Sequence, residues 1–322
     1  DNPVRGFHLN TLASTLTTWQ EVVEKFLTAN DQMKKGNVEL MKVWTNTEMG
    51  QTWEEDGETI EDDELMKRRE KYKCEVPEEV LYLTAGVDTQ DDRFEIEVVG
   101  WGPEYESWGI RYAAIYGDNS DINNQVWQDL DTFLLQTFEK PDGTKMKLSC
   151  VCIDSGGHRT NQVYKFCKAR FNRRVFAIKG SNDSAAAYIQ KPSKSNREGA
   201  YLFTLGVDTG KSLLMDRLKL EEEGPGFCHF PKEEGKGYDE KYFKGLTSEK
   251  KVMRYKMGRP YFAWELKDKG EHKRNEALDC RNYATAAIEI INVPLKKPDK
   301  KKDATQAKKI VKRGRRRSGG IL

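Results

Sequence analysis

No run of eighteen apolar residues occurs anywhere in the 322-residue chain, so no membrane-spanning helix is predicted. The opening Asp1-Asn-Pro-Val-Arg-Gly6 has neither the apolar core of a secretory signal nor the Arg- and Ser-rich amphipathic pattern of a transit peptide. An initiator Met is also missing, which reads as a fragment or a processed chain. Disulfide-framework spacing is absent from the six cysteines, Cys74, Cys150, Cys152, Cys167, Cys228 and Cys280. Cys150 and Cys152 share one face of a strand, the wrong reach for a Cys-x-x-Cys zinc knuckle. Buried thiols in a reducing, cytoplasmic setting are expected instead. The chain shows no internal repeat.

Positive charge is scarce in the body of the chain. The net charge is +2, yet residues 296–322 hold twelve Lys and Arg against two Asp, a net of +10, which leaves −8 on the preceding 295 residues. The body alone is therefore not a basic nucleic-acid binder, and the positive potential sits in the tail. That tail, with its run Lys308-Lys-Ile-Val-Lys-Arg-Gly-Arg-Arg-Arg317, is expected to be disordered in isolation. Its composition suits nonspecific attachment to DNA through counterion release, or docking on an acidic protein surface.

A nucleotide-binding loop is missing too. Gly206-Val-Asp-Thr-Gly-Lys-Ser212 lies between a strand and a helix, but three residues separate Gly206 from Gly210-Lys211 where a Walker A loop needs four. Asp208 would also set a negative charge where phosphates belong, and no Walker B strand stands elsewhere. ATP binding is not expected. Asp208 facing an acidic site while Lys211 touches a DNA phosphate, or a turn capped by Asp208, are the two uses open to the segment.

What is present reads as an α/β domain. An apolar fraction of 37% is enough for a core beside 33% charged residues. Residues 1–79 read as a connecting region, with helical spacing over Trp19–Leu27, an acidic stretch Glu54–Glu64 and a helix-like Leu65–Tyr72. From residue 80 the pattern gives strands Val80–Asp88, Arg93–Trp101 and Glu106–Tyr116, joined by turn residues. Helix Gln125–Leu135, strand Lys147–Asp154, helix Thr160–Phe171 and strand Arg174–Ile178 follow. The order β-β-β-α-β-α-β predicts a mixed sheet flanked by helices, and RNase H-like folds share it. In that fold the first and fourth strands are neighbours. The remaining pattern predicts strand Ala200–Leu205, helix Lys211–Leu220, a polar excursion Glu221–Glu240, a small helix Thr247–Tyr255, strand Tyr261–Leu266 and helix Asn275–Ile291. The domain is drawn at 80–294, with 295–322 as the tail.

Three aspartates stand out against that order. Asp88 ends one apolar run, Asp154 ends another, and Asp279 lies inside the last helix. A carboxylate at the end of a buried strand is unfavourable unless a cation neutralises it, and three converging would make an oxygen cage suited to Mg²⁺ or Mn²⁺. Two-ion phosphodiester hydrolysis needs such acids from separate elements, with ions roughly 4 Å apart. Glu276 shares a helix face with Asp279 and is a lower-ranked ligand, as is Asp208. Each acid alone would more often cap a turn or helix, as Asp154 could cap the helix near Thr160. The three together favour a site. Lys179, Lys211, Lys273 and Arg274 are candidate phosphate contacts, with surface solubility the alternative. His158 and His272 could shuttle protons or touch phosphate, though a lone surface histidine is commoner.

The segments Leu83-Thr-Ala-Gly-Val-Asp-Thr-Gln90, Trp101-Gly102, Glu106-Ser-Trp108, Asp154-Ser-Gly-Gly157, Ile178-Lys-Gly180, His229-Phe-Pro231 and Arg274-Asn-Glu-Ala-Leu-Asp-Cys280 together resemble the nuclease half of the lambda-type phage terminase large subunit. Arg5-Gly-Phe-His-Leu-Asn10 resembles the region that joins motor to nuclease in that family. The resemblance implies an RNase H-like endonuclease that cuts concatemeric phage DNA during packaging, in the host cell cytoplasm. It implies that Asp88, Asp154 and Asp279 match the family's metal-binding acids, with Mg²⁺ or Mn²⁺, two ions, as cofactor. It implies double-stranded DNA, the phage portal and the small terminase subunit as partners, and no membrane. Family members carry an N-terminal packaging ATPase that this chain lacks, so it is expected to cut but not to translocate. The competing readings are another RNase H-like enzyme, a resolvase or transposase, and a non-catalytic DNA- or portal-binding module whose acids are structural.

Overall fold

The computed structural model describes residues 9–34, 39–51, 60–256, 259–267 and 274–296. Residues 297–322 of the basic tail, His272 and Lys273 lie outside the described residues. The chain divides into two compact units, Asp1–Gly57 with Lys251–Phe262, and Glu58–Lys250 with Ala263–Leu322.

In the first unit, helices α1 (Trp19–Lys34) and α2 (Glu39–Thr47) pack through Val22, Ala29 and Met41, which are buried. Trp44 donates its indole N–H to the Val22 carbonyl at 3.1 Å and its ring lies 4.9 Å from Phe26. The helix expected over Trp19–Leu27 thus runs on to Lys34, and α2 is an addition to the elements that the sequence pattern predicts.

The second unit starts with α3 (Asp62–Lys67), which begins three residues before the expected Leu65 and ends well before Tyr72. Strands β1 (Tyr82–Thr89), β2 (Arg93–Trp101) and β3 (Ser107–Tyr116) follow, then α4 (Gln125–Leu134), the two-residue strands β4 (Phe138–Glu139) and β5 (Lys145–Met146), β6 (Leu148–Asp154), α5 (Thr160–Ala169) and β7 (Val175–Gly180). β8 (Leu202–Leu205), α6 (Val207–Leu218), β9 (Cys228–His229), α7 (Glu240–Leu246), β10 (Glu249–Lys256), β11 (Arg259–Leu266) and α8 (Glu276–Ile291) complete the described elements. The main sheet has the order β8-β7-β6-β1-β2-β3-β9. β1, β2 and β3 are antiparallel, while β6, β7 and β8 run parallel in sequence from β1. This is the RNase H-like mixed sheet that the element order predicts, with β1 and β6 side by side.

Three corrections concern the later elements. Of residues 247–255, expected as a small helix, all from Glu249 onward belong to β10, which pairs with β11 as a two-stranded sheet. The segment alternates as a strand does, with Val252 buried and Met253 exposed, and pairing with β11, the next element in sequence, decides against the helical reading. α6 starts at Val207, four residues before the expected Lys211. The polar excursion 221–240 contains β9 at the sheet edge, and α7 follows it. All six cysteines are free thiols, and only Cys74 is not buried.

Period-two alternation sorts the sheet into two faces. Leu83, Ala85 and Val87 of β1, Phe94, Ile96 and Val98 of β2, and Val151 and Ile153 of β6 join a core with Trp127, Leu130, Val163 and Phe166 of α4 and α5. The even-numbered positions of β1 and β6 turn to the other face, where Cys150 and Cys152 pack with Tyr283, Ala286 and Ala287 of α8. Thr84 donates its hydroxyl to the Ala284 carbonyl at 2.8 Å. Gly86 lets the helix backbone approach: a Cβ there would stand 2.0 Å from the Cys280 carbonyl oxygen and 2.5 Å from the Ala284 nitrogen. Gly86→Ala should therefore push α8 off the sheet and lower stability by about 1–3 kcal/mol, read by denaturant unfolding; an unchanged midpoint would contradict this packing.

The same face carries a buried ion pair. Arg281 of α8 donates to Glu97 at 2.8 Å, with both side chains essentially inaccessible to solvent. Tyr238 and Tyr242 donate hydroxyls to the same Glu97 oxygen at 3.1 and 2.8 Å. Such a pair is weak evidence of stability but leaves α8 few alternative seatings, because any shift would strand a buried charge.

Candidate active site

The alternation that hides Leu83, Ala85 and Val87 under α4 and α5 turns Asp88 toward α8, following Thr84 and Gly86. It turns Asp154 the same way, following Cys150 and Cys152. The parallel register Val87↔Ile153 brings the two acids off adjacent strands at one level, and Thr89 donates its hydroxyl to the Asp154 carbonyl at 2.9 Å. Asp279 enters from above, in the first turn of α8. Electrostatics report the convergence. Asp88 is pushed up from 3.8 to about 8, first by burial and then by the charges of Asp279 and Asp154. Asp154 is raised to about 6 by burial and by Asp279, against the opposing Gly156 N–H at 3.1 Å. Burial also raises Asp279, and the neighbouring Lys211 only partly offsets it.

Partners surround the three acids. Gln90 donates its amide to Asp88 at 2.5 Å. Lys211, expected on the surface at a DNA phosphate, is 5% exposed. Its ammonium lies 2.8 Å from Glu249 and 2.9 Å from Asp279. Burial would lower its pKa, but the carboxylates of Asp279 and Glu249 outweigh burial and raise it. Asn275 bridges the same two acids, at 2.7 Å to Glu249 and 2.9 Å to Asp279. Glu276 is engaged by Arg93 at 2.6 Å, and Arg93 also holds Glu95 at 2.7 Å. Tyr112 donates to Glu95.

Other sequence candidates stand further out. Lys179 is exposed at the end of β7, close enough to Asp154 to lower its pKa. Arg274 is exposed just before α8. Asp208 is half-buried in the first turn of α6, where its carbonyl accepts the Trp264 indole N–H at 3.1 Å. His158 is exposed and meets Asp91 at 3.1 Å. Glu249 is not among the sequence candidates, because its neighbourhood reads as a helix and no local signal distinguishes it from the other charges of 247–251.

All donors at the aspartates are hard oxygens, and the buried Asp88 and partly buried Asp154 and Asp279 keep raised pKa values even with Lys211 beside Asp279; both features fit a divalent ion such as Mg²⁺ or Mn²⁺. The trio does not close into a one-ion cage. Among the described residues the group whose ligand atoms all lie within 4.8 Å of one another is Glu70, Glu223 and His229. No helix among the described residues is long and apolar enough to cross a membrane.

An RNase H-like sheet with acids at the ends of its two central parallel strands and a third on the covering helix defines the class of domain. The chain belongs to the family of the terminase large subunit gpA, endonuclease domain, whose family model matches residues 4–301. It is 37% identical over 290 residues to the large terminase subunit of Escherichia phage lambda, covering 88% of this chain and 43% of that protein. The chain thus spans less than half the length of this relative. Among solved structures, a mutant nuclease domain of the large terminase subunit gp2 of bacterial virus Sf6, with manganese, is similar at a TM-score of 0.44 and 17% identity, over 69% of this chain and 96% of that one.

Proposed function

We propose that this chain is a divalent-metal-dependent endodeoxyribonuclease that cuts concatemeric double-stranded phage DNA during packaging. Asp88, Asp154 and Asp279 hold its Mg²⁺ or Mn²⁺ ions. The observation that carries the reading is the convergence of one buried and two partly buried acids from β1, β6 and α8, two of them raised to about 8 and about 6. Two ions about 4 Å apart need ligands spread wider than a one-ion cage, which suits the open spacing of the trio. When bound, the ions activate the attacking water and stabilise the leaving oxygen.

The chain's own residues set the stage. Gln90 and the Gly156 N–H orient the carboxylates of Asp88 and Asp154. Lys211 and Asn275 hold Asp279 and Glu249 together, so Glu249 joins Glu276 and Asp208 as a lower-ranked ligand. Glu276 balances Arg93. Lys179 and Arg274, exposed beside the acids' strand end and before α8, take DNA phosphates, and Lys273 is a further candidate. The phage portal and the small terminase subunit are the proposed partners, with the basic tail a docking or DNA-holding element, and the host cell cytoplasm is the proposed location.

The test is nicking of supercoiled plasmid in Mn²⁺. Cleavage should stop on adding EDTA, return with excess Mn²⁺, and be absent from a folded Asp154→Asn variant. Cleavage that survives EDTA, or runs at the wild-type rate in Asp154→Asn, would overturn the proposal.

A further inference from the structure

His229 of β9 is 6% exposed, and its ring is fixed on both sides. It stacks on Trp108 at 4.9 Å with 4° between the planes, and Phe227 meets it edge-on at 4.7 Å. Each ring nitrogen faces a carboxylate: Nδ1 lies 2.8 Å from Glu70 and Nε2 lies 3.1 Å from Glu106. A neutral imidazole carries one N–H and can satisfy only one of them. A third carboxylate, Glu223, brings an oxygen within 4.8 Å of the Glu70 and His229 ligand atoms. Among the described residues no Lys or Arg pairs with Glu70, Glu106 or Glu223. Arg68, which lies over the Phe227 ring, gives its guanidinium to the Leu218 and Leu220 carbonyls instead, at 2.8 Å each. Three acids thus meet one imidazole in a partly buried place, with none of them paired to a described Lys or Arg.

We propose that Glu70, Glu223 and the Nδ1 atom of His229 form a divalent-cation site of the zinc class, separate from the aspartate cluster, that clasps three segments to the sheet edge. One nitrogen and two carboxylate oxygens are a donor set zinc accepts, with water at the fourth position, whereas Mg²⁺ favours all-oxygen surroundings. Glu106 on Nε2 is the outer carboxylate that metal-bound imidazoles characteristically have: it fixes the tautomer and leaves the Nδ1 lone pair toward the cation. The ligands come from distant stretches. Glu70 follows α3 and bridges to Pro231, Glu223 lies in the loop after α6, and His229 is on β9. A cation there ties the entry to the domain and the loop after α6 to the edge strand beside β3. This holds whatever reaction the aspartates carry.

Calorimetric titration of the full chain with Zn²⁺, beside thermal melts, decides it. The chain should take up a Zn²⁺ equivalent that millimolar Mg²⁺ does not displace and that raises the melting temperature. Glu106→Gln should weaken that equivalent about ten- to a hundredfold, Glu223→Gln at least about tenfold, and His229→Asn should eliminate it. Should His229→Asn fail to fold, the Glu223→Gln titration still decides, because Glu223 is exposed and its substitution leaves the core intact. Unchanged stoichiometry and affinity in Glu223→Gln would overturn the proposal.

Discussion

Asp88→Asn is expected to lower cleavage by about a thousandfold while making the metal-free protein more stable at alkaline pH. The activity loss follows from the proposed role of Asp88 as a charged ligand: ions held there would lower the barrier by several kcal/mol, each 1.4 kcal/mol being tenfold. The stability gain follows from linkage. Asp88 has its ordinary value of 3.8 when unfolded and about 8 when folded. Between those values the folded state binds more protons than the unfolded one, so stability falls as pH rises through the window, and above about pH 8 the full penalty applies. Some four units at about 1.4 kcal/mol each set a ceiling near 6 kcal/mol. The carboxylates of Asp154 and Asp279 titrate with Asp88, so about 3 kcal/mol is the expected difference. Asparagine carries no charge to desolvate. Denaturant melts in EDTA at pH 5.5 and 8.5 should show the variant more stable at both, with the advantage at pH 5.5 less than half of that at pH 8.5. With Mn²⁺ the order should reverse, because only the wild type gains the full stabilisation of binding. A variant that cuts normally and shows no stability gain in EDTA would remove Asp88 from the site.

Much of this site is legible in the sequence because it rests on short-range rules. Runs of buried residues ending in Asp88 and Asp154 mark strand ends, and the element order makes those strands neighbours, which the Val87↔Ile153 register bears out. Alternation fixes which face each acid takes once its neighbours are known to be buried. The rest depends on contacts that no window of sequence contains. Lys211 reads as part of a polar turn, yet its partner Glu249 is 38 residues away, on a strand where the local pattern reads as a helix. β9 is two residues long, too short for any periodicity, and it carries His229. The glycine of the near-miss phosphate loop has a packing reason: a Cβ on Gly206 would stand 2.2 Å from the Ala186 carbonyl oxygen.

Lys211→Met should separate the two roles open to this lysine. On the surface at a DNA phosphate, the substitution would leave stability unchanged and only weaken DNA binding and its salt dependence. In the interior it holds Glu249 at 2.8 Å and Asp279 at 2.9 Å, and a methionine of similar length leaves both acids with the Asn275 amide but no cation. Breaking a buried pair by removing one partner costs about 3–5 kcal/mol, or roughly 10 °C in melting temperature for a domain of this size. The sign with pH follows from the lysine's raised pKa, which keeps it charged across the neutral range in the folded state. Its contribution is therefore present at neutral pH and vanishes only as pH rises through that elevated value. Burial holds the Asp279 pKa above its ordinary value, so toward low pH Asp279 can take up a proton and the variant's deficit should shrink from pH 8.5 to 5.5. Mn²⁺ should stabilise the variant more than the wild type, since a dication then replaces the missing ammonium beside Asp279. Lys211→Arg keeps the charge and should recover part of the loss. A Lys211→Met protein with wild-type melting in EDTA at pH 8.5 would put the ammonium outside the carboxylate cluster and return the lysine to the DNA-facing surface.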